Sequence, residues 1–165
     1  MSGISHPVIR HFRVHWRGPV LSSFSIAEAS RNYLLALHEL GCNLSVTQTI
    51  EMQNRGWLSP ELESFFQKLI RKRVRPPYYH VNYSVTMVFR VDDAALANVG
   101  YMPVDNSELN PDWTRGWEGQ DELWVPCLFN VAGMIRAGFD PGRVWRVPHG
   151  VEVERFRPGL EPLAA

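Results

Sequence analysis

Hydrophobic residues recur along this chain with two different spacings, which separate predicted strands from predicted helices. From Ile9 to Trp16, β-branched and aromatic residues recur mostly at every second position, and this spacing predicts a first strand. From Ser25 to Leu40, apolar residues return every three or four positions and form one face, as in an amphipathic helix. Ser25 and Glu28 have the spacing of an N-terminal capping box, and Gly41 is placed to end the helix.

The same two spacings continue through the rest of the chain. Two further helices are predicted, one that opens with Ser59-Pro60 and ends near Lys72, and one over Leu128–Ala137. A short helix is predicted to open at Pro111-Asp112-Trp113. The remaining predicted strands are Asn43–Ile50, Tyr78–Phe89, Asn98–Val104, Glu122–Val125 and Arg143–Val147. This alternation predicts an α/β fold, with a Rossmann-like open, mostly parallel sheet and helices on both faces.

The composition narrows the class of protein. The 165 residues are 45% hydrophobic and 21% charged, which fits one folded domain and excludes a disordered chain. Seventeen basic and seventeen acidic residues give a formal net charge of zero, so no global positive field favours nucleic acid. The sequence shows no apolar stretch typical of a signal peptide or a bilayer crossing, and we expect a cytoplasmic protein. Cys42 and Cys127 lack the spacing of a zinc site, and both are predicted to be reduced.

The loop after the first strand is a candidate phosphate site, because ligands of parallel α/β sheets bind at the carboxyl ends of strands. Gly18, Pro19, Ser22 and Ser23 lie there, ahead of a helix N-terminus whose positive end suits an anion. The alternative is an ordinary polar loop. The sequence GxGxxG does not follow the first strand, which counts against a nucleotide-binding Rossmann enzyme.

Residues 98–158 carry several motifs in a specific order. Residues 121–130 read DELWVPCLFN, residues 138–147 lead through a predicted strand, and residues 148–158 read PHGVEVERFRP. In order and spacing this part of the chain resembles the end of the N-terminal domain of GT-B fold glycosyltransferases of the retaining family 4 group. Three positions depart from that pattern: Cys127 replaces a usual Ser, Glu152 replaces a usual Asp, and Arg17-Gly18-Pro19 replaces a Gly-Gly loop.

The resemblance implies one half of a two-domain enzyme that transfers a sugar from a nucleotide-sugar to a hydroxyl acceptor. A GT-B enzyme closes a cleft between an acceptor-side domain and a donor-binding domain. By this comparison residues 1–147 form the acceptor-side domain, residues 148–165 form the interdomain linker and tail, and the donor-binding domain is absent after Ala165. We expect a fragment that is inactive alone, requires no metal or other cofactor, and contributes mainly positioning of the acceptor. The loop at Gly18 would face the donor diphosphate.

Three further residues are candidates for that cleft. Asp105 stands where the resembled segment carries an acid, and it would orient or partly deprotonate the acceptor hydroxyl, unless it only forms an Asx-turn. His80 is predicted near a strand end, on the same carboxyl edge as Asp105, unless it is a buried structural histidine. His149 precedes Gly150 in the linker, where it would contact the donor or either domain, unless it is an exposed hinge residue.

One basic cluster stands out in the otherwise balanced sequence. Cations at a helix C-terminus complement the helix dipole, which explains the cluster without any partner. The alternative is a peripheral membrane contact with anionic lipid. The cluster consists of Lys68, Arg71, Lys72, Arg73 and Arg75.

A second hypothesis of a different class is a stand-alone α/β module that binds a sugar or a protein partner without catalysis. A reading frame that continues into a second domain would favour the glycosyltransferase, and a gene that ends near Ala165 would favour the binding module.

Overall fold

An open, all-parallel sheet organises this protein, seen in a computed structural model that describes residues 12–50, 58–84, 89–106, 108–109, 115–151, 153 and 159. Its six strands are β1 (Arg13–Arg17), β2 (Asn43–Thr47), β3 (Tyr79–Tyr83), β4 (Ala97–Tyr101), β5 (Glu122–Val125) and β6 (Val144–Arg146). They lie in the order β2-β1-β3-β4-β5-β6, so the direction of winding reverses between β1 and β3. The predicted Rossmann-like α/β class is confirmed.

Among the described residues three α-helices cover the sheet, and both faces carry at least one of them, as predicted. The helices are α1 (Ser25–Glu39), α2 (Pro60–Arg71) and α3 (Leu128–Arg136). Helices α1 and α2 pack on one face through Leu34 and Phe66. Helix α3 packs on the other face, where Met134 meets the side chains of β5 and β6.

The predicted helix ends are confirmed at most positions. Gly41 follows α1 with a φ of 83°, and Gly138 follows α3 with a φ of 93°, the left-handed conformation that glycine adopts at little cost. The Ser59 side chain accepts a hydrogen bond of 3.3 Å from the Leu62 N–H at the start of α2. The capping box at Ser25 is wrong: Phe24 is the N-cap of α1 and makes no side-chain cap, because the helix already begins at Ser25.

The face under α1 and α2 is lined by large apolar and aromatic side chains, and we call it the aromatic face. Alternate residues of the four strands β2, β1, β3 and β4 point to it. They pack into one buried cluster that includes Leu44, Val46, Val14, Trp16, Val81, Tyr83, Val99 and Tyr101. This cluster is the larger of two hydrophobic cores.

The opposite side of the same four strands is lined by polar side chains, and we call it the polar face. Strand pairing places His15 level with Ser45 and with His80, and His80 level with Asn98. No helix among the described residues covers this part of the sheet. Residues 89–96 of the connection from β3 to β4 lie over it instead, as an irregular segment with a turn at Asp93-Ala94.

Several sequence boundaries shift in the structure. The strands predicted over Tyr78–Phe89 and Asn98–Val104 are shorter and end at Tyr83 and Tyr101. The start of the first predicted strand, the helix predicted at Pro111 and residues 154–158 of the linker lie outside the described residues. The domain boundary predicted after Val147 stays a prediction.

Candidate functional site

The carboxyl edge of the sheet carries a cluster of four rings, which we call the tyrosine–histidine cluster: Tyr33, Tyr83, Tyr101 and His149. Strands β3 and β4 both end in a tyrosine, and their rings lie 4.8 Å apart, edge to face. Tyr33 of α1 stacks edge-on to Tyr101 at 5.5 Å. The His149 ring lies 5.7 Å from the Tyr101 ring and 6.2 Å from the Tyr83 ring.

Hydrogen bonds tie residues 147–149 to this cluster. Tyr101 donates its hydroxyl proton to the Val147 carbonyl at 2.6 Å, and Tyr33 donates to the Pro148 carbonyl at 2.8 Å. The Tyr83 hydroxyl lies 3.0 Å from Nε2 of His149. The start of the predicted linker is thus fastened at the switch between β1 and β3, where α/β sheets bind ligands.

The cluster is uncharged near neutral pH. Burial raises the pKa of Tyr83 and of Tyr101, and for Tyr101 the adjacent Tyr33 hydroxyl adds to the increase. Burial of the ring against the tyrosines lowers the pKa of His149, although the residue as a whole is exposed. Tyr83 and Tyr101 are buried and their hydroxyls are engaged within the protein, so the exposed, neutral imidazole of His149 is the group of this cluster that could meet a polar ligand.

The loop after β1 is built mainly to fit the core. Gly18 is buried, and a Cβ there would lie 2.8 Å from Nε1 of Trp16 and 3.0 Å from the Tyr83 carbonyl oxygen. The Gly18 N–H donates to the Thr47 carbonyl. Gly18 therefore permits the close approach of β1 and β3, whatever else the loop does.

Other groups of this loop are also engaged. The N–H groups of Val20 and Leu21 both donate to Oε1 of Gln48, at 2.8 and 3.3 Å. Arg31 donates to the Ser22 carbonyl at 2.9 Å. Pro19 and Ser22 are buried, whereas Ser23 is exposed at the start of α1. A phosphate at this loop, which stays a prediction, would be contacted from the Ser23 end.

Asp105 lies where the sequence places it, four residues beyond the end of β4 at the carboxyl edge. Its side chain is exposed. Asn130 of α3 donates to the Val104 carbonyl beside it, which fixes the chain at that point. The catalytic role of Asp105 stays a prediction.

The position predicted for His80 is wrong. His80 is the second residue of β3, in its amino-terminal half, and it is only 4% exposed. Its side chain lies on the polar face, stacked on His15 with the ring centres 5.2 Å apart. It therefore does not share the carboxyl-edge site with Asp105. The sequence contains a signal for this placement. His80 and Asn82 are two positions apart, and alternate residues of a strand point to the same side of a sheet, so this spacing indicates a strand with one polar side.

Two asparagines explain how a loop replaces a helix over His80. The Asn82 side chain donates to the Arg90 carbonyl at 2.9 Å and accepts from the Arg90 N–H at 3.1 Å. The Asn98 side chain makes the same pair with the backbone of Asp92, at 3.3 and 2.8 Å. Each side-chain amide forms the pair of hydrogen bonds that a neighbouring strand would form. The segment is therefore attached at two points, and the N–H and carbonyl groups of Arg90 and Asp92 have partners.

Between this segment and strands β1 and β2 lies an open groove of about 770 Å³. We call it the polar groove. His80 lies among its lining residues, the others being Arg17, Thr47, Arg90, Val91, Asp92, Asp93 and Ala94. Sequence reasoning missed it, because Arg90, Asp92 and Asp93 come to β1 only through the return of the segment.

The charges of the polar groove come in two groups. Arg17 and Arg90 both line the groove, and burial together with the charge of Arg90 lowers the pKa of Arg17. A hydrogen bond from the Tyr78 hydroxyl, at 2.6 Å, lowers the pKa of Asp92. Burial and the adjacent His15 lower the pKa of His80 to about 4, against the opposing effect of Asp92. His80 is therefore neutral at physiological pH.

The basic cluster at the end of α2 lies on exposed residues. Arg73 donates to the Ile70 carbonyl at 3.0 Å and to the Lys72 carbonyl at 3.1 Å, so it caps the helix C-terminus. This fits the dipole explanation of the cluster. A contact with anionic lipid stays a prediction.

Two features are absent from the described part of the chain. Its His, Cys, Asp and Glu side chains form no group of three that could hold a metal ion. None of its helices has both the length and the apolar content needed to cross a bilayer.

Comparisons with known proteins return no matching family model, no matching curated protein and no matching solved structure.

Proposed function

We propose that this chain is the acceptor-side domain of a retaining GT-B glycosyltransferase, a cytoplasmic enzyme that transfers a sugar from a nucleotide-sugar to a hydroxyl. The observation that carries the proposal is the path of residues 121–150. The DELWVPCLFN motif forms β5 and the start of α3, and the PHG motif follows β6. The motif residues thus occupy a strand, a helix and a carboxyl-edge turn in the order that the resemblance implies.

The anchoring of His149 supports this assignment. The PHG segment and Val147 before it are held at the carboxyl ends of β3 and β4 by Tyr33, Tyr83 and Tyr101, on the edge where a second domain would close the cleft. His149 would then offer a neutral imidazole to the bound donor. Asp105, exposed on the same edge, would position the acceptor hydroxyl for reaction.

In this proposal the transfer needs little chemistry from this domain. The bond from the sugar C1 to the donor phosphate breaks, and a bond from C1 to the acceptor oxygen forms on the same face of the sugar. The acceptor proton passes to the departing phosphate oxygen. The domain orients the hydroxyl and excludes water from the closed cleft.

The test joins the chain to a donor-binding half, encoded downstream or supplied as a separate polypeptide. Transfer of labelled sugar from a panel of UDP- and GDP-sugars is then measured. We expect activity in the joined protein and, by calorimetry, at most weak nucleotide-sugar binding to the 165 residues alone. A sub-micromolar dissociation constant for the isolated chain, or no transfer by a folded two-domain protein, would contradict the proposal and favour the non-catalytic binding module.

A further inference from the structure

Two stacked histidines of the polar face differ in their hydrogen bonds. The His15 ring has a hydroxyl near each nitrogen: Ser45 Oγ lies 2.8 Å from Nδ1, and Thr47 Oγ1 lies 3.1 Å from Nε2. The centre of the His80 ring lies 5.2 Å from that of His15, and His80 is only 4% exposed. Neither of its ring nitrogens has a hydrogen-bond partner among the described residues. Because native proteins rarely leave a buried polar group unused, His80 lacks the kind of partner that His15 has.

His80 is one of the residues that line the polar groove, so a molecule in the groove can supply the missing partners. The charged residues of the lining balance: Arg17 and Arg90 are basic, and Asp92 and Asp93 are acidic. A charged ligand would lose hydration and would meet like charges as well as opposite charges, whereas a neutral polar ligand avoids both penalties. The groove therefore favours a neutral ligand.

Hydroxyl groups fit the hydrogen-bonding groups of this lining. A neutral imidazole has one donor and one acceptor, and a hydroxyl complements either, as Ser45 and Thr47 do for His15. Carboxylates accept hydrogen bonds from hydroxyls, and Asp93 is exposed at the turn of the 89–96 segment. The groove volume of about 770 Å³ lies within the range of about 300–1,000 Å³ that is typical of small-molecule sites. A ligand with several hydroxyls on one small ring matches both the chemistry and the size.

We propose that the polar groove binds a neutral polyol of about the size of a single sugar ring. Its hydroxyls hydrogen-bond the His80 ring and donate to the Asp93 carboxylate. This inference does not rest on the glycosyltransferase proposal, because the polar groove lies on the opposite face of the sheet from the tyrosine–histidine cluster and shares no residue with it. Failure of either proposal therefore leaves the other one standing.

The experiment measures binding of defined probes to the full chain by calorimetry and by the imidazole resonances of His80. The polyols are myo-inositol and methyl α-glucopyranoside, cyclohexanol keeps a ring of the same size with a single hydroxyl, and inorganic phosphate and ethanolamine carry charge. We expect at least one polyol to bind about tenfold or more tightly than each of the other three probes, and to shift the His80 resonances, because several hydroxyls bind together. A smaller preference, unshifted His80 resonances, or no binding by either polyol would overturn the proposal.

Variants separate a ligand site from a structural role. His80→Phe should weaken polyol binding about fivefold, as expected for the loss of one hydrogen bond. Its melting temperature near neutral pH should be unchanged, because the imidazole bonds no group among the described residues. Asp93→Ala should weaken polyol binding by a similar factor. Glu118→Ala is the matched control: it removes an exposed carboxylate outside the groove lining and should leave binding unchanged. Unchanged binding in either groove variant would refute the site, and if His80→Phe does not fold, Asp93→Ala and the wild-type resonances decide.

Discussion

The two faces of the sheet solve the same burial problem in opposite ways. On the aromatic face, apolar and aromatic side chains pack under two helices, and hydroxyls such as that of Tyr101 make hydrogen bonds at the edge of the cluster. The polar face carries hydrogen-bonding side chains under the irregular segment at residues 89–96, and two asparagines fasten that segment. The difference shows where polar groups are left unused: on the polar face, neither ring nitrogen of the buried His80 has a hydrogen-bond partner among the described residues.

The largest expected effect tests how closely the aromatic side is packed. Gly18→Ala places a methyl group against Trp16 and the Tyr83 backbone, so it should lower the free energy of unfolding by about 3 kcal/mol. Chemical denaturation measures the change. Gly133→Ala is the matched control, because its nearest outside atom lies 3.9 Å away on the Arg136 side chain. It should be neutral or stabilise α3 slightly, and a loss as large as that of Gly18→Ala would refute the packing argument.

Acid should weaken the polar face first. The pKa of His80 is lower in the folded protein, about 4, than in the unfolded chain. The contribution of neutral His80 to the free energy of unfolding is therefore complete above about pH 6.5 and is lost as the pH falls toward 4. By pH 4.5 the loss from His80 should be about 2 kcal/mol. Denaturant melts of the wild type and His80→Phe between pH 7 and 4.5 measure it. If the two proteins lose stability in parallel, His80 is not the responsible group.

A smaller effect is expected from the hydroxyls at the rim of the aromatic face. Tyr101→Phe removes the donor to Val147 and the partner of the Tyr33 hydroxyl, and it should cost about 1.5 kcal/mol. Tyr83→Phe removes only the bond to His149 and should cost about 1 kcal/mol or less. Both variants should speed amide exchange at residues 149–151. Unchanged exchange in Tyr101→Phe would show that the cluster does not anchor the turn.

Much of the fold follows from local patterns in the sequence. Strand β5 is predicted with its observed bounds, Glu122–Val125, and Gly41 and Gly138 correctly mark two helix ends. These features depend on a few neighbouring residues. The predicted capping box fails because Phe24, one position before Ser25, is the N-cap of α1 and its side chain makes no cap hydrogen bond.

The site is predicted less completely, since it depends on contacts between distant residues. Asp105 and His149 lie at the carboxyl edge because each follows a strand of a parallel sheet, which sequence order alone indicates. His80 was misplaced, because its strand begins only one residue earlier, at Tyr79. The polar groove brings together Arg17 and Arg90, which are 73 positions apart in the chain, and the Asn82 side chain holds the Arg90 backbone at that place.

The measurement that tests the central claim most directly is the turnover of the joined two-domain protein and its Asp105→Ala variant. If the carboxyl edge positions the acceptor, Asp105→Ala should lower turnover by about ten- to a thousandfold at an unchanged melting temperature. Glu39→Ala is the control: it removes an exposed carboxylate from the C-terminal end of α1 and should keep full activity. Full activity in Asp105→Ala, or no transfer by the folded two-domain wild type, would contradict the account.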